Sequence, residues 1–186
     1  MCHRYRLVIS CPDQLGIVAR VSSFITGHGG SITEASQHAD LETGCFFMRY
    51  EIRADSLGMT VDSMRDAFLP IAREFDMHWA LTDIRQRRRM VLMVSRERHC
   101  LVDLLYRWTA GELDCDIAAV MSNYVTEELD AGPIIEQEVH RVSHCHTPSD
   151  LVRFGRDVEK AVLARGVRWH LEDRVLMHGN KTLVFA

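Results

Sequence analysis

Lysine is nearly absent from the chain. Lys160 and Lys181 are the only lysines among its 22 basic residues, and arginine carries the rest. With a formal net charge of −4, nothing in the charge balance points to nucleic acid or to an anionic membrane surface. The one basic run, Arg85-Gln86-Arg87-Arg88-Arg89, has no interleaved aromatic residues and reads as a solvated junction. Long apolar runs are missing as well. Leu7-Val8-Ile9 is too short for the core of a signal peptide, and no stretch approaches the roughly 18 apolar residues of a membrane helix, so the chain is expected in the cytoplasm. The six cysteines (2, 11, 45, 100, 115 and 145) form no C-x-x-C pair and are expected as reduced thiols.

What is present fits an ordinary globular protein: 186 residues, 47% hydrophobic and 26% charged, enough for one large or two small domains. Residues 5–12 alternate as a strand. Asp13 then stands where a helix N-cap would, ahead of Leu15, Val18, Val21 and Ile25 at helical spacing, and Gly27, Gly29 and Gly30 can end that helix. Residues 31–38 and 45–53 read as strands joined by a turn near Glu42-Thr43-Gly44. Val61, Met64, Phe68, Ile71 and Phe75 form a second apolar stripe, and residues 78–84 a fourth strand. The order βαββαβ predicts a ferredoxin-like unit, with an antiparallel sheet and both helices on one face.

A different pattern starts at Met90. "MVLMVS" is a continuous apolar run, as in a parallel strand buried on both faces. A helix with Leu101, Leu104, Leu105 and Trp108 follows, then the strand "CDIAAVMSN", which together open an α/β sheet. The intervening loop, Ser95 to His99, has no glycine, so backbone amides cannot easily wrap a phosphate there and a dinucleotide cofactor is excluded. "YVTEELDAGPIIEQEVH", residues 124–140, reads as extended chain broken by acids and Ala131-Gly132-Pro133. Asp130 there either caps a turn or is presented to a ligand. Residues 148–167 form a helix opened by Thr147-Pro148. A strand starting at Trp169 then turns through His178-Gly179-Asn180 into "KTLVF". His140, His144 and His146 are close in sequence but lack an acidic or cysteine partner placed by spacing, and no metal site is expected.

"PDQLGIVARV", residues 12–21, resembles the ACT domain, a small regulatory module, over residues 5–84. The resemblance implies side-by-side pairing into a homo-oligomer and an amino-acid effector bound at Asp13, Gln14, Leu15 and Gly16. The plainer reading is that Asp13 caps and Gly16 permits close packing. "SRERHCLVDLLYRWTAGELDCDIAAVMSN", "YVTEELDAGPIIEQEVHRVSH" and "HLEDRVLMHGNKTLVF" resemble the formyltetrahydrofolate deformylases. Those join an ACT domain to a formyltransferase-type α/β domain and hydrolyse formyltetrahydrofolate to formate and tetrahydrofolate, in one-carbon and purine metabolism.

The fold expected is therefore α+β and α/β, with an ACT-like domain over 1–85 and a truncated formyltransferase-type open sheet over 86–186. The resemblance makes Asp130 the catalytic acid, puts Thr126, Glu128 and Leu129 on the pterin side, and requires no cofactor, folate being the substrate. It also implies an Asn and a His one residue apart, upstream of "VTEEL". The chain has no such segment and passes directly from Asn123 to Tyr124, as if internally deleted there. The alternative is a non-catalytic, amino-acid-sensing or assembly protein built on the ACT half.

Overall fold

A computed structural model describes residues 3–94, 98–122, 133–179 and 181–185. The chain divides into two compact units, Met1–Gln86 and Arg87–Ala186.

The first unit runs β1 (Arg4–Pro12), α1 (Ile17–Gly27), β2 (Ser31–Asp40), β3 (Cys45–Arg53), a short 3-10 turn (Ala54–Ser56), α2 (Val61–Glu74) and β4 (His78–Asp83). The strands lie in the order β2-β3-β1-β4, every neighbour antiparallel. The expected βαββαβ pattern is thus present, and its cause is local periodicity. Along β1, Tyr5, Leu7, Ile9 and Cys11 are buried while the residues between them are half-exposed, as period-2 alternation dictates. Ile17, Val21, Phe24 and Ile25 bury the stripe of α1, and Met64, Phe68, Ile71 and Ala72 that of α2. Thr60 caps α2 by accepting from the Ser63 amide at 3.2 Å. Gly30 follows α1 where a Cβ would meet the Ile25 side chain at 2.7 Å and its carbonyl at 2.8 Å, so only glycine fits this return into β2.

One local expectation fails. Asp13 does not cap α1. The cap is Gly16, in the left-handed region at φ 94°, with no side-chain bond to the helix. The Asp13 amide instead donates to the Gly44 carbonyl at 2.8 Å, which ties it to the β2–β3 turn and leaves three further residues before the helix.

The opposite face of β3 carries an ion cluster. Arg49 and Glu51 are 1% and 4% exposed. Glu51 accepts from Arg49 (2.7 Å), Arg4 (2.5 Å) and Arg6 (3.3 Å), and Arg49 also reaches Glu34 (2.8 Å). The register puts Arg6 and Glu34 directly across from Glu51, on either side.

Every buried residue of this unit's core lies between Tyr5 and Leu81. A four-stranded sheet with both helix stripes buried is sufficient for independent stability. A fragment of residues 1–86 is therefore expected to be soluble and to unfold in one cooperative urea transition. A disordered far-ultraviolet circular dichroism spectrum would contradict this.

The second unit has β5 (Arg88–Val94), α3 (His99–Thr109), β6 (Cys115–Ser122), α4 (Pro148–Leu171), β7 (Val175–His178) and β8 (Lys181–Val184). β5 and β6 pair in parallel, and β7 and β8 form the expected hairpin. Among the described residues its main core cluster is small, with Leu92, Leu104, Leu113, Cys115 and Ala164 as the buried members. The apolar run of β5 is not buried on both faces, because Val91 and Met93 are 49% and 67% exposed, as are Val120 and Met121 of β6 at 47% and 54%. Among the described residues of this two-stranded sheet Leu92 is buried, while its ladder partner Val120 stays half-exposed.

Two further expectations are corrected. The extended segment that starts at Tyr124 is expected to run as a strand to residue 142, yet its described part, from residue 133 on, is not one. It lies along α4, where Arg165 donates to Glu136 (3.1 Å) and Glu138 (2.6 Å) and His140 stacks on Phe154. Strand propensity is decided by the neighbours available to pair, and here the contacts are made to a helix. Trp169 does not begin a strand either, because α4 continues to Leu171. Val167 and Leu171 pack on the core, and Arg88 caps the helix end by donating to the His170 carbonyl at 3.3 Å and pairing with Asp173. At its start α4 has a full capping box between Thr147 and Asp150, with Pro148 in the first turn.

Candidate functional site

The turn between β1 and α1 opens a shallow cleft of about 450 Å³ lined by Asp13, Gln14, Leu15, Gly16 and the first turn of α1, with Phe46 as an apolar wall. The four contiguous residues singled out from sequence share this one cleft. Phe46 could not be read from the turn. It is 35 positions from Cys11, its partner in the β1–β3 ladder (residues 11 and 46), and only that register brings it here.

Three physical features give the cleft its chemistry. Gly16 at φ 94° ends the turn and starts the helix, the Arg20 amide being the first to return to its carbonyl, at 2.9 Å. The amides of the first helical turn therefore have no intrahelical acceptor and suit an anion. Asp13 supplies a carboxylate for a cation. Leu15 is fully exposed at the lip and Phe46 is buried, so the cleft also has an apolar edge. Cys11 lies beneath. Burial first, then Asp13 and Cys45, push its thiol up to about 11, which keeps it protonated and unreactive. A carboxylate, the amides of a helix start and an apolar wall thus share one small cleft.

In the second unit, Asp130, Thr126, Glu128 and Leu129 lie outside the described residues, as do Asn123, Asn180 and residues 95–97 of the glycine-free loop. His140 and His146 both pack on the Phe154 ring, at 4.3 and 5.1 Å between centroids, and His146 Nδ1 accepts from the Ser143 amide at 3.0 Å. These two imidazoles are engaged in holding the 133–146 segment against α4. No helix among the described residues is long and apolar enough to cross a membrane.

Comparison with known proteins adds the following. The ACT domain family matches residues 5–58. A formyltetrahydrofolate deformylase of Bacillus subtilis is 31% identical, with 97% of this chain and 93% of that protein covered. One from Synechocystis is 30% identical, with 97% and 98% covered. The crystal structure of a formyltetrahydrofolate deformylase from Pseudomonas syringae superimposes with a TM-score of 0.95 at 42% identity, covering 100% of this chain and 95% of that one. The Bacillus alignment spans 279 positions against 186 residues here; 279 less 186 leaves at least 93 positions of that relative facing a gap. Both proteins are covered nearly end to end, so the shortfall is internal.

Proposed function

The chain belongs to the formyltetrahydrofolate deformylase family, and on that premise we propose that its fold serves hydrolysis of formyltetrahydrofolate to formate and tetrahydrofolate, with the 186-residue chain itself held near the background rate. The observation that carries this reading is the internal shortfall in an alignment that otherwise runs almost end to end. The notional deletion point is between Asn123 and Tyr124, where the second strand of the catalytic unit meets the "VTEEL" stretch. Residues 1–85 act as the ACT-like regulatory domain and residues 86–186 as the formyltransferase-like domain.

Asp130 is the catalytic acid in this reading, orienting a water toward the formyl carbon, and Thr126, Glu128 and Leu129 line the pterin side. The reaction needs water and no cofactor, folate being the substrate, and its setting is the cytoplasm. With a pocket wall shortened, tetrahydrofolate is expected to bind more weakly than to a full-length relative. Titration followed by the fluorescence of Trp108 and Trp169 measures this, with Glu128→Ala weakening it further. A signal that does not saturate at any folate concentration would overturn the folate reading.

The cleft at Asp13 to Gly16 is the effector site of the regulatory half, and ACT units pair to form a homo-oligomer. The α1 amides take the carboxylate of an amino acid and Asp13 its ammonium. Calorimetric titration with a panel of amino acids is expected to find a binder that Asp13→Ala weakens at least about tenfold, as loss of a charge-assisted bond of about 1.5–3 kcal/mol implies. Absence of any heat of binding at millimolar concentrations would remove the sensing role.

A further inference from the structure

We propose that His99, Cys100 and Glu159 bind a divalent transition-metal ion of the zinc class, which clamps the start of α3 to the middle of α4. His99 and Cys100 are the first two residues of α3 and Glu159 stands 60 positions on, in α4. His99 Nε2 and a Glu159 carboxylate oxygen are 2.5 Å apart, and with the Cys100 sulfur the three ligand atoms lie within 4.8 Å of one another. This is the one such group of histidine, cysteine and acid ligands among the described residues.

The donor set selects the metal. An imidazole nitrogen, a thiol sulfur and a carboxylate oxygen together suit zinc or its spectroscopic substitute cobalt(II), whereas magnesium and calcium take oxygen ligands. Zinc holds its ligands at about 2.0–2.3 Å, so the His99–Glu159 contact must open slightly on binding. Glu159 can move, since its side chain is 61% exposed, while His99 at 15% is held by the helix packing. Three protein ligands leave the fourth tetrahedral position to water.

On binding, the Cys100 sulfur gives up its proton to solvent and the charge of the metal holds it as thiolate. The N-terminal dipole of α3 stabilises the thiolate so formed. The clamp also has a structural use. Among its described residues the second unit has few buried side chains and sheets of two strands each, and small cores of this kind gain most from a metal staple.

The competing account is a plain hydrogen bond between His99 and Glu159 with Cys100 a bystander, and the test separates the two. Chelator-treated, reduced full-length chain is titrated with cobalt(II). The expected result is a thiolate-to-cobalt charge-transfer band that saturates at one equivalent, disappears on adding zinc, and is absent from Cys100→Ser. Zinc is expected to raise the melting temperature, and Glu159→Gln, at an exposed position that tolerates change, to weaken zinc binding at least about tenfold. Cys145→Ser, which alters the exposed thiol, should leave the band unchanged. No charge-transfer band, or a band and a thermal shift retained in both Cys100→Ser and Glu159→Gln, would overturn the proposal.

Discussion

Purified chain supplied with formyltetrahydrofolate is expected to release formate at close to the uncatalysed rate, and Asp130→Ala to change that rate little. Hydrolysis of the formyl group requires an activated water, a donor for the developing oxyanion and a proton for the leaving nitrogen. Asp130 can orient the water. The family resemblance assigns the other roles to an Asn and a His that have no counterpart in this sequence, consistent with the 93 or more positions of the Bacillus relative that face a gap (279 less 186). Loss of one oxyanion donor costs about 10²–10³ in rate and loss of general acid–base help about 10²–10⁴, so their joint loss is about 10⁴ or more. His140 and His146 are poor substitutes, since both rings lie on Phe154. Formate release, measured against buffer alone, checks the expectation.

The second large effect falls on the stability of the regulatory half. Replacing Arg49 or Glu51 is expected to destabilise the 1–86 fragment by about 3–5 kcal/mol, the usual cost of removing one partner from a buried ion pair. For a domain with the ordinary stability of about 5–15 kcal/mol that is about a fifth of the total or more. Burial by itself raises the Glu51 carboxyl, but the Arg49, Arg4 and Arg6 guanidiniums together outweigh it and hold the carboxyl below its ordinary value. A lowered folded-state pKa gives stability that is present above the unfolded carboxyl value of about 4.3 and is lost as pH falls through the folded value. The acid limb of the stability profile should accordingly be shallower in Glu51→Gln. Urea midpoints of both fragments between neutral and strongly acid pH measure this. Superimposable acid limbs would show that Glu51 contributes nothing through its charge.

The first unit was legible because its signals are local. Alternation along residues 5–12 and the stripes at 17–25 and 61–75 each specify an element without reference to the rest of the chain. Asp13 was misassigned as a cap because aspartate is a common cap, while the left-handed turn at Gly16 leaves no mark in sequence beyond the glycine itself. The second unit was less legible because burial is not local. Val91 and Met93 have the composition of a strand covered on both faces, yet what covers a face is other chain. Residues 133–142 have strand composition and lie against α4 through Arg165. The end of α4 depends on Arg88, more than 80 positions earlier. The same contrast holds for sites. Asp13 to Gly16 are contiguous, so a motif finds them. His99 and Glu159 meet only because two helices pack, and no spacing rule brings them together.

The chain is a member of the formyltetrahydrofolate deformylase family that lacks an internal segment of its relatives. Formate release by a chain carrying the central segment of a full-length relative between Asn123 and Tyr124, beside the unaltered chain and the Asp130→Ala version of each, tests it most directly. The account predicts a rate increase of about 10⁴ or more on insertion, abolished by Asp130→Ala, with the unaltered chain at background. Turnover by the unaltered 186-residue chain well above background, and lost in its Asp130→Ala version, would contradict it.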